Sequence, residues 1–172
     1  MRRDLHYYRR KNTLSLAKKA AKKRKPTTLP KLKASVQALA NKYARLRDCF
    51  GDSGSTCISC GIWHPFEKLD GGHFIPTTYS STRFDERNIN AQCHKCNRFL
   101  HGDPRRYFRG MEAKYGRDVV DDLEAIAGPY KWTREELEDI RRYYRGKIND
   151  ILAGNDPNPK KNTSVISIFT PQ

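Results

Sequence analysis

The chain has 172 residues, enough for one domain with a hydrophobic core, and 37% of them are hydrophobic. Lysine and arginine total 34 against 19 aspartates and glutamates, so the formal net charge is +15 at pH 7. No apolar run approaches the roughly 20 residues of a membrane span and no secretory signal is evident, which excludes a membrane protein and predicts a cytoplasmic one.

Residues 1–30 are predicted to form a basic flexible arm. Thirteen lysines and arginines lie between Arg2 and Lys33, opposed only by Asp4, so this end carries most of the net charge. Such a block repels itself and suits a polyanion such as DNA, because binding releases the counterions of the DNA. A solvated tail that only aids solubility is the alternative. The prolines of "KPTTLP" then separate the arm from a domain predicted over residues 31–152.

A helical pattern precedes a central region that lacks one. Residues 31–48 carry apolar side chains at three- and four-residue steps, which predicts an amphipathic helix. These positions are Val36, Leu39, Tyr43 and Leu46. Residues 49–103 instead contain cysteines, glycines and short extended pieces, and they form the predicted chemical module. Cys49 stands apart from the other four cysteines and is predicted to be an ordinary buried thiol.

Helical patterns return after the module, in two runs separated near Gly116. A last helix begins at Thr133, where "TREE" predicts a capping box with Glu136. Arginines interleave with aromatics here and are candidate phosphate contacts, although such arginines are often only solvated. They are Arg105, Arg106, Arg109, Arg141, Arg142 and Arg145. The tail, residues 153–172, is predicted to be flexible, although its "VISIF" segment is compatible with a strand.

Two Cys-x-x-Cys pairs enclose the centre of the module. The first pair is Cys57 and Cys60, and the second is Cys93 and Cys96. In a reducing cytosol this spacing favours metal binding over disulfides, and four thiolates complete a tetrahedral zinc site. Four protein ligands leave no open position, so a structural zinc is predicted, which closes residues 61–92 into a loop. Unrelated core thiols or a redox pair are the alternatives. We call these four residues the cysteine clasp.

The order of residues around the clasp resembles the H-N-H nucleases, which have a ββα-metal fold. His73 follows the first cysteine pair, Asn88 lies five residues before Cys93, and Asn97 directly follows Cys96. The resemblance implies that His73 is the general base, that Asn88 braces its loop and that Asn97 is a metal ligand. A neutral imidazole can take a proton from water near pH 7, and a divalent cation can stabilise the leaving oxygen. A packed or zinc-adjacent histidine and an ordinary turn asparagine are the alternatives.

Most H-N-H enzymes carry an acidic metal ligand immediately before the histidine, where this chain has Gly72. The nearest acid is Asp70, and on a regular strand its side chain and that of His73 face opposite sides. The glycines between them permit a bulge or a tight bend that would bring the carboxylate back toward the metal. We therefore expect Asp70 and Asn97 to bind magnesium or manganese, although Asp70 is also placed to orient His73. Further candidate ligands are His101, Asp103 and Asp85, while His64 and His94 are weaker candidates for any role.

The chain more closely resembles the NinG family of lambda-like phages. The members of this family, also called Rap, are recombination endonucleases. The resemblance rests on "CISCG", "DGGH", "RFDERNIN", "QC..CN", "YG" and the late "WT.EE", in this order, and on a basic helix containing "YR". It covers roughly residues 35–152 and leaves the arm and the extreme tail outside. It implies cleavage of branched DNA, such as Holliday junctions and D-loops, beside phage recombination proteins. A homodimer is left open.

The sequence therefore predicts an α+β fold: a small zinc-clasped ββα-metal core flanked by α-helices, with a basic N-terminal arm. The predicted function is a metal-dependent, structure-specific DNA endonuclease. No base-reading module is evident, so selectivity is expected to come from DNA shape. Two other functions fit the same features. One is a non-catalytic zinc module that binds nucleic acid, and the other is a nonspecific or site-specific H-N-H nickase.

Overall fold

The computed structural model describes residues 27–155 and 157, which form an α+β domain of four helices and two short antiparallel sheets. In chain order, the first elements are α1 (Leu29–Asp48), β1 (Gly54–Thr56), β2 (Trp63–Pro65), a 3-10 turn (Phe66–Lys68), β3 (Leu69–His73) and β4 (Ile89–Cys93). They are followed by a π-helical turn (Lys95–Phe99), α2 (Pro104–Tyr115), α3 (Arg117–Ala125) and α4 (Arg134–Leu152). The predicted α+β class is confirmed.

Two predictions lie largely or wholly beyond this part of the chain. The basic arm falls outside the described residues up to residue 26, and the strand considered for "VISIF" falls outside them entirely. None of the helices in the described residues has the length and apolar character needed to cross a membrane.

The larger part of the hydrophobic core lies between α1 and α4. Both helices contribute apolar side chains at three- and four-residue steps. The buried members are Leu32, Val36, Ala40, Tyr43 and Ala44 from α1 and Leu137, Ile140, Tyr144 and Ile148 from α4. At the start of α4, Arg134 donates to the carbonyl of Thr27 at 2.8 Å. Farther along, the ring centroids of Tyr43 and Tyr144 lie 5.5 Å apart, so the two helices run parallel.

Local sequence signals explain where the helices begin and end. The predicted capping box is confirmed: Glu136 N donates to Thr133 Oγ1 at 3.2 Å, and Thr133 N donates to Glu136 Oε2 at 2.7 Å. The predicted break near Gly116 is also confirmed, because this glycine has a φ of 92° between α2 and α3. Helix α1 begins at Leu29 and includes Pro30, whose missing N–H costs nothing in a first helical turn.

Strands β3 and β4 pair in an unbroken register from Leu69 opposite Cys93 to His73 opposite Ile89. The bulge suggested for the two glycines is therefore absent, and that expectation was wrong. The glycines provide room instead of a bend. A Cβ atom at position 71 would lie 2.7 Å from the Cα of Asn41, so α1 packs tightly on the face of β3 that also carries His73.

A buried ion network joins the end of α1 to β4 and α2. Asp48 Oδ1 accepts from Arg47 Nε at 2.8 Å and from Lys114 Nζ at 2.7 Å. Its Oδ2 accepts from the backbone N–H of Ala91, at 2.7 Å, on the edge of β4 that faces away from β3. Burial alone would raise the pKa of Asp48, but the two cations outweigh it and lower the pKa to about 2. This carboxylate therefore remains charged and holds β4 against the helices.

Replacing Asp48 with asparagine should destabilise the fold by about 3 kcal/mol, because Arg47 and Lys114 would lose their buried counter-charge. The difference from wild type should be constant above about pH 4 and should shrink as the pH falls toward 2. A lowered folded-state pKa stabilises the fold above the unfolded pKa of the carboxyl, and that stabilisation disappears when the folded carboxylate is protonated. Urea unfolding at several pH values measures both effects.

The matched control is Asp139→Asn, which breaks the exposed pair with Arg142 on α4. An exposed ion pair contributes little, so this change should cost less than about 1 kcal/mol. Equal losses in the two variants would show that the Asp48 network does not stabilise the fold in this way.

Candidate functional site

The structure brings the four cysteines of the clasp together. Cys57 follows β1, Cys93 ends β4, and their two partners lie in the adjoining turns. One sulfur from each residue lies within 4.8 Å of all the others. The backbone N–H of Cys93 donates to the sulfur of Cys57 at 3.3 Å, and that of Cys96 donates to the sulfur of Cys93 at 3.4 Å. The four residues can bind a metal such as zinc.

The electrostatics of the clasp favour a bound cation. Burial raises the pKa of the Cys96 thiol, and the neighbouring sulfurs raise it further. Burial also acts to raise the pKa of Cys57, but backbone N–H groups of Cys60 and Cys93 outweigh it and lower that pKa. The backbone thus supports a thiolate at one position, while the crowding of sulfurs opposes four thiolates at once. A divalent metal ion bound to all four sulfurs offsets the repulsion between the thiolates, because its positive charge acts on each of them.

His73 lies half-buried at the end of β3, between α1 and the loop of residues 74–88. Its Nε2 is 3.1 Å from the carbonyl oxygen of Arg83 and 3.2 Å from the amide nitrogen of Gln37. Desolvation lowers the pKa of His73 to about 4, against the raising effect of the Arg83 carbonyl and with help from the Arg83 charge. The imidazole is therefore neutral at pH 7.

The surrounding hydrogen bonds favour one tautomer of His73. The amide oxygen of Gln37 accepts from Arg83 Nε at 2.8 Å, and its amide nitrogen already donates to Asn41 Oδ1 at 2.8 Å. The carbonyl of Arg83 can only accept, and His73 is its only hydrogen-bond donor among the described residues. A proton on Nε2 satisfies this carbonyl. The lone pair then lies on Nδ1, which is the ring atom free to take a proton.

Asp70 and Asn97, the two expected metal ligands, also lie together. Asn97 Nδ2 donates to Asp70 Oδ2 at 3.1 Å, and Arg98 pairs with both carboxylate oxygens at 2.8 and 2.6 Å. His94 Nε2 lies 3.5 Å from Asp70 Oδ1. Burial acts to raise the pKa of Asp70, but the hydrogen bonds of Arg98 and Asn97 lower it, so the carboxyl is ionised. Asp70 and His73 are not hydrogen-bonded to each other within the described residues.

Gln92 explains why the position before His73 is a glycine. A Cβ atom at Gly72 would lie 2.2 Å from Gln92 Oε1. The Gln92 side chain is fully buried and donates to Ser59 Oγ at 2.7 Å and to the carbonyl of Gly102 at 2.5 Å, so it cannot move aside freely. Position 72 therefore has no room for an acid.

Asp70 lies on the same face of β3 as Gly72, two residues earlier. A residue directly before His73 would also face away from that histidine, because strand side chains alternate. The departure from the usual H-N-H order is thus a shift of the acid along one face, by roughly 7 Å. Asp70 keeps the face on which Asn97 lies.

Asn88 closes the loop that supports His73. Its Oδ1 accepts from the N–H of Ile75 at 2.7 Å, and its Nδ2 donates to the carbonyls of Ile75 at 3.1 Å and Thr82 at 3.0 Å. The side chain is fully buried. These bonds fix both ends of the loop beside Arg83, whose carbonyl contacts His73.

The remaining candidate ligands are exposed or already paired. His101 is exposed in the loop before α2, with a positive φ of 51°. The two other carboxylates each pair with an arginine. These pairs are Asp103 with Arg106 at 3.5 Å and Asp85 with Arg87 at 2.8 Å. In the part of the chain that the structure describes, none of the three candidates hydrogen-bonds to Asp70 or Asn97.

Two residues of this site were missed by the sequence analysis. Gln37 contacts His73 from the predicted amphipathic helix, and Arg83 contacts it from the polar stretch "TTYSSTRFDER". Gln37 could have been recognised from the sequence as a polar residue that lies next to the apolar stripe of α1. Nothing local marks Arg83, because its contact uses a backbone carbonyl ten residues away from His73.

Comparison with known proteins gives one family. The family model described as "Bacteriophage Lambda NinG protein" matches residues 2–153. The expectation that the arm lies outside the resemblance was therefore wrong, since the match begins at residue 2. No solved structure matches.

The curated relatives agree with this match. They include Protein ninG of Escherichia phage 933W and of Salmonella phage P22, both 34% identical, and Protein ninG of Escherichia phage lambda, 33% identical. Each alignment covers 116 residues, which is 67% of this chain and 54% or 55% of the relative. The chain thus spans about half the length of the curated relatives it matches. On the extent of the family match, the chain belongs to the NinG family.

Proposed function

We propose that this protein is a metal-dependent endonuclease that hydrolyses phosphodiester bonds in branched DNA, such as Holliday junctions and D-loops. The observation that carries the proposal is His73, a neutral imidazole whose Nε2 is bonded to the Arg83 carbonyl and whose Nδ1 has no hydrogen-bond partner among the described residues. A fixed, neutral imidazole has the form required of a general base for water. The net charge of +15 and the NinG family match support a phage DNA substrate.

His73 Nδ1 removes a proton from the water that attacks phosphorus. A base with a pKa of about 4 is weak in the free protein. A phosphodiester anion beside the ring stabilises the imidazolium and raises this pKa, so the base becomes stronger when the substrate is bound. Asn88 supports the step from a distance, because it fixes the loop whose carbonyl orients the ring.

Two metals are part of the proposal. Zinc would be held by Cys57, Cys60, Cys93 and Cys96 and would be structural, because four thiolates leave no position for a substrate. Magnesium or manganese would be held by Asp70 and Asn97, whose carboxylate and amide oxygens are the ligands that these hard cations prefer. When bound, this cation stabilises charge on the scissile phosphate and the leaving oxygen. His101 is a weaker candidate ligand, because its side chain is exposed and makes no hydrogen bond to Asp70 among the described residues.

One observation favours a second candidate, a non-catalytic zinc module that binds nucleic acid. The Asp70 carboxylate is paired at both oxygens by Arg98, and this pair must open before a cation can bind there. A protein in which the Asp70–Arg98 pair never opens would keep the clasp and the positive net charge but would have no hydrolytic activity. A nickase would use the proposed chemistry on a different DNA. Phage recombination proteins and a second copy of the chain are further proposed partners, by family resemblance.

The direct test is cleavage of a four-way DNA junction beside a linear duplex of matched sequence, with magnesium, with manganese and with a chelator. The proposal expects cutting of the junction with either metal, much weaker cutting of the duplex, and no cutting with the chelator. Tight junction binding without cutting under any divalent metal would support the non-catalytic module. Equal cutting of both DNAs would support a nonspecific nickase.

A further inference from the structure

Two cationic side chains, Arg83 beside His73 and Lys33 within reach of the Arg83 charge, lie near each other. Lys33 and Gln37 lie four residues apart on α1, so they share the face of the helix that meets His73. Arg83 reaches the same place from the loop of residues 74–88. Its Nε donates to Gln37 Oε1 at 2.8 Å, and its Nη1 donates weakly to the carbonyl of Thr77 at 3.4 Å. The guanidinium is therefore held from one side, and its Nη2 has no partner among the described residues.

Neither cation is neutralised by an acid. In the described part of the chain, no carboxylate oxygen lies within 4.0 Å of the side-chain nitrogens of Lys33 or Arg83. Burial lowers the pKa of Arg83, and burial together with the Arg83 charge lowers the pKa of Lys33. By contrast, several arginines of α2 and α4 have acidic partners. These are Arg106, Arg141 and Arg142.

A cation that is partly removed from water and bonded only to neutral groups is stabilised when an anion arrives. With His73 neutral, the two side chains leave an uncompensated positive charge at this place at pH 7. The fork of the guanidinium matches the oxygens of a phosphate, and a lysine ammonium supplies a second, more flexible charge. Gln37 orders the pair, because its amide oxygen accepts from Arg83 Nε and its side chain lies against the His73 ring.

We propose that Lys33 and Arg83 form the binding site for the scissile phosphodiester, next to the water that His73 activates. This inference rests on the proposed function and deepens it, since it names the groups that position the substrate. The bound phosphate would bring negative charge to His73 and so strengthen the base at the moment of reaction. Arg83 thus has two parts in the site: its carbonyl orients the ring, and its side chain holds the phosphate.

The test compares Lys33→Ala, Arg83→Ala and Arg83→Lys with wild type for binding to a four-way junction in a chelator, at several salt concentrations. Each alanine variant should weaken binding threefold or more, and the slope of log K against log salt should fall by about one. Arg83→Lys should recover the salt slope but not the cleavage rate with magnesium, because it keeps the charge and loses the fork. The matched control is Lys42→Ala, an exposed lysine of the same helix, which should change neither quantity.

A second readout does not depend on DNA. NMR titration of His73 in Arg83→Ala should give a higher pKa than in wild type, because a neighbouring positive charge has been removed. Zinc content and circular dichroism identify any variant that fails to fold, in which case Arg83→Lys and Lys33→Ala carry the test.

The outcomes separate this inference from the proposed function. Wild-type junction affinity and salt slope in Lys33→Ala and Arg83→Ala, with cleavage by wild type intact, would overturn the phosphate site and leave the nuclease. Loss of affinity in both variants, with a wild-type protein that cuts no DNA, would keep an anion site and overturn the nuclease.

Discussion

Replacing His73 with alanine should lower the rate of junction cleavage by about 10²- to 10⁴-fold, the usual contribution of a positioned general base. Zinc content, folding and junction binding should stay near wild type, because among the described residues the His73 ring makes one hydrogen bond, from Nε2 to the Arg83 carbonyl, and otherwise lies against Gln37. Single-turnover cleavage with saturating protein and magnesium measures the chemical step without interference from product release.

Asp70→Ala provides the comparison for this variant. Removal of a metal ligand should lower cleavage and also raise the magnesium concentration required, whereas His73→Ala should leave that requirement unchanged. If Asp70 only oriented His73, its loss would lower the rate at an unchanged magnesium requirement. Cleavage by His73→Ala at the wild-type rate would exclude the H-N-H mechanism for this protein.

The pH dependence gives an independent check on the same residue. The pKa of His73 is lowered to about 4, so the free protein keeps a neutral base as the pH falls from 7 to 5. The acid limb of kcat/KM, which reports the free enzyme, should therefore lie well below the 6.5 of an ordinary histidine. A limb near 6.5 would mean that the ring is exposed to water in solution.

Removing zinc should unfold the central module. Apparent binding energies of structural zinc are about 10 to 16 kcal/mol in small zinc-dependent peptides, which is as large as the whole stability of a typical domain. The metal would join the end of β1 to the end of β4, so its loss would free the whole segment between Cys57 and Cys93, including His73. Metal analysis should give one zinc per chain, and Cys93→Ser should lose both zinc and its cooperative thermal transition.

The matched control for the clasp is Cys49→Ser. This thiol is also buried, at 6% exposure, but it lies in a separate cluster with Leu69 and Ala91. The variant should keep its zinc and lose only about 1 to 3 kcal/mol of stability, for a buried hydroxyl in an apolar site. A folded and active protein without zinc would end the idea of a structural clasp.

Sequence patterns predicted the features that depend on neighbours along the chain. The apolar stripe of α1, the capping box at Thr133 and the break at Gly116 all follow from spacings of three or four residues. The clasp was also predictable, since each cysteine pair is local and zinc is the usual reason for two such pairs. For the helix features one short segment contains the whole physical cause, and for the clasp two short segments do.

The contacts around His73 could not be predicted in this way, because each depends on packing between distant segments. The glycines of β3 permitted a bulge when considered alone. Only the close approach of Asn41 and Gln92 shows that these positions have no room for a side chain, and the strand there is regular. Arg83 contributes a carbonyl, and any residue has one, so its identity carries no signal for that role. Gln37 meets it across 46 positions of sequence.

The parallel packing of α1 and α4 places the start of α1 at the end of the domain where α4 begins, with Thr27 bonded to Arg134. Lys33 follows Thr27 by six residues and lies in the first two turns of α1. The basic residues that precede Thr27 are thus covalently tethered close to the His73 site. DNA bound by these residues would therefore be held near that site, which raises its local concentration there. For the proposed nuclease, the positive charge would then serve to hold the DNA substrate near the His73 site.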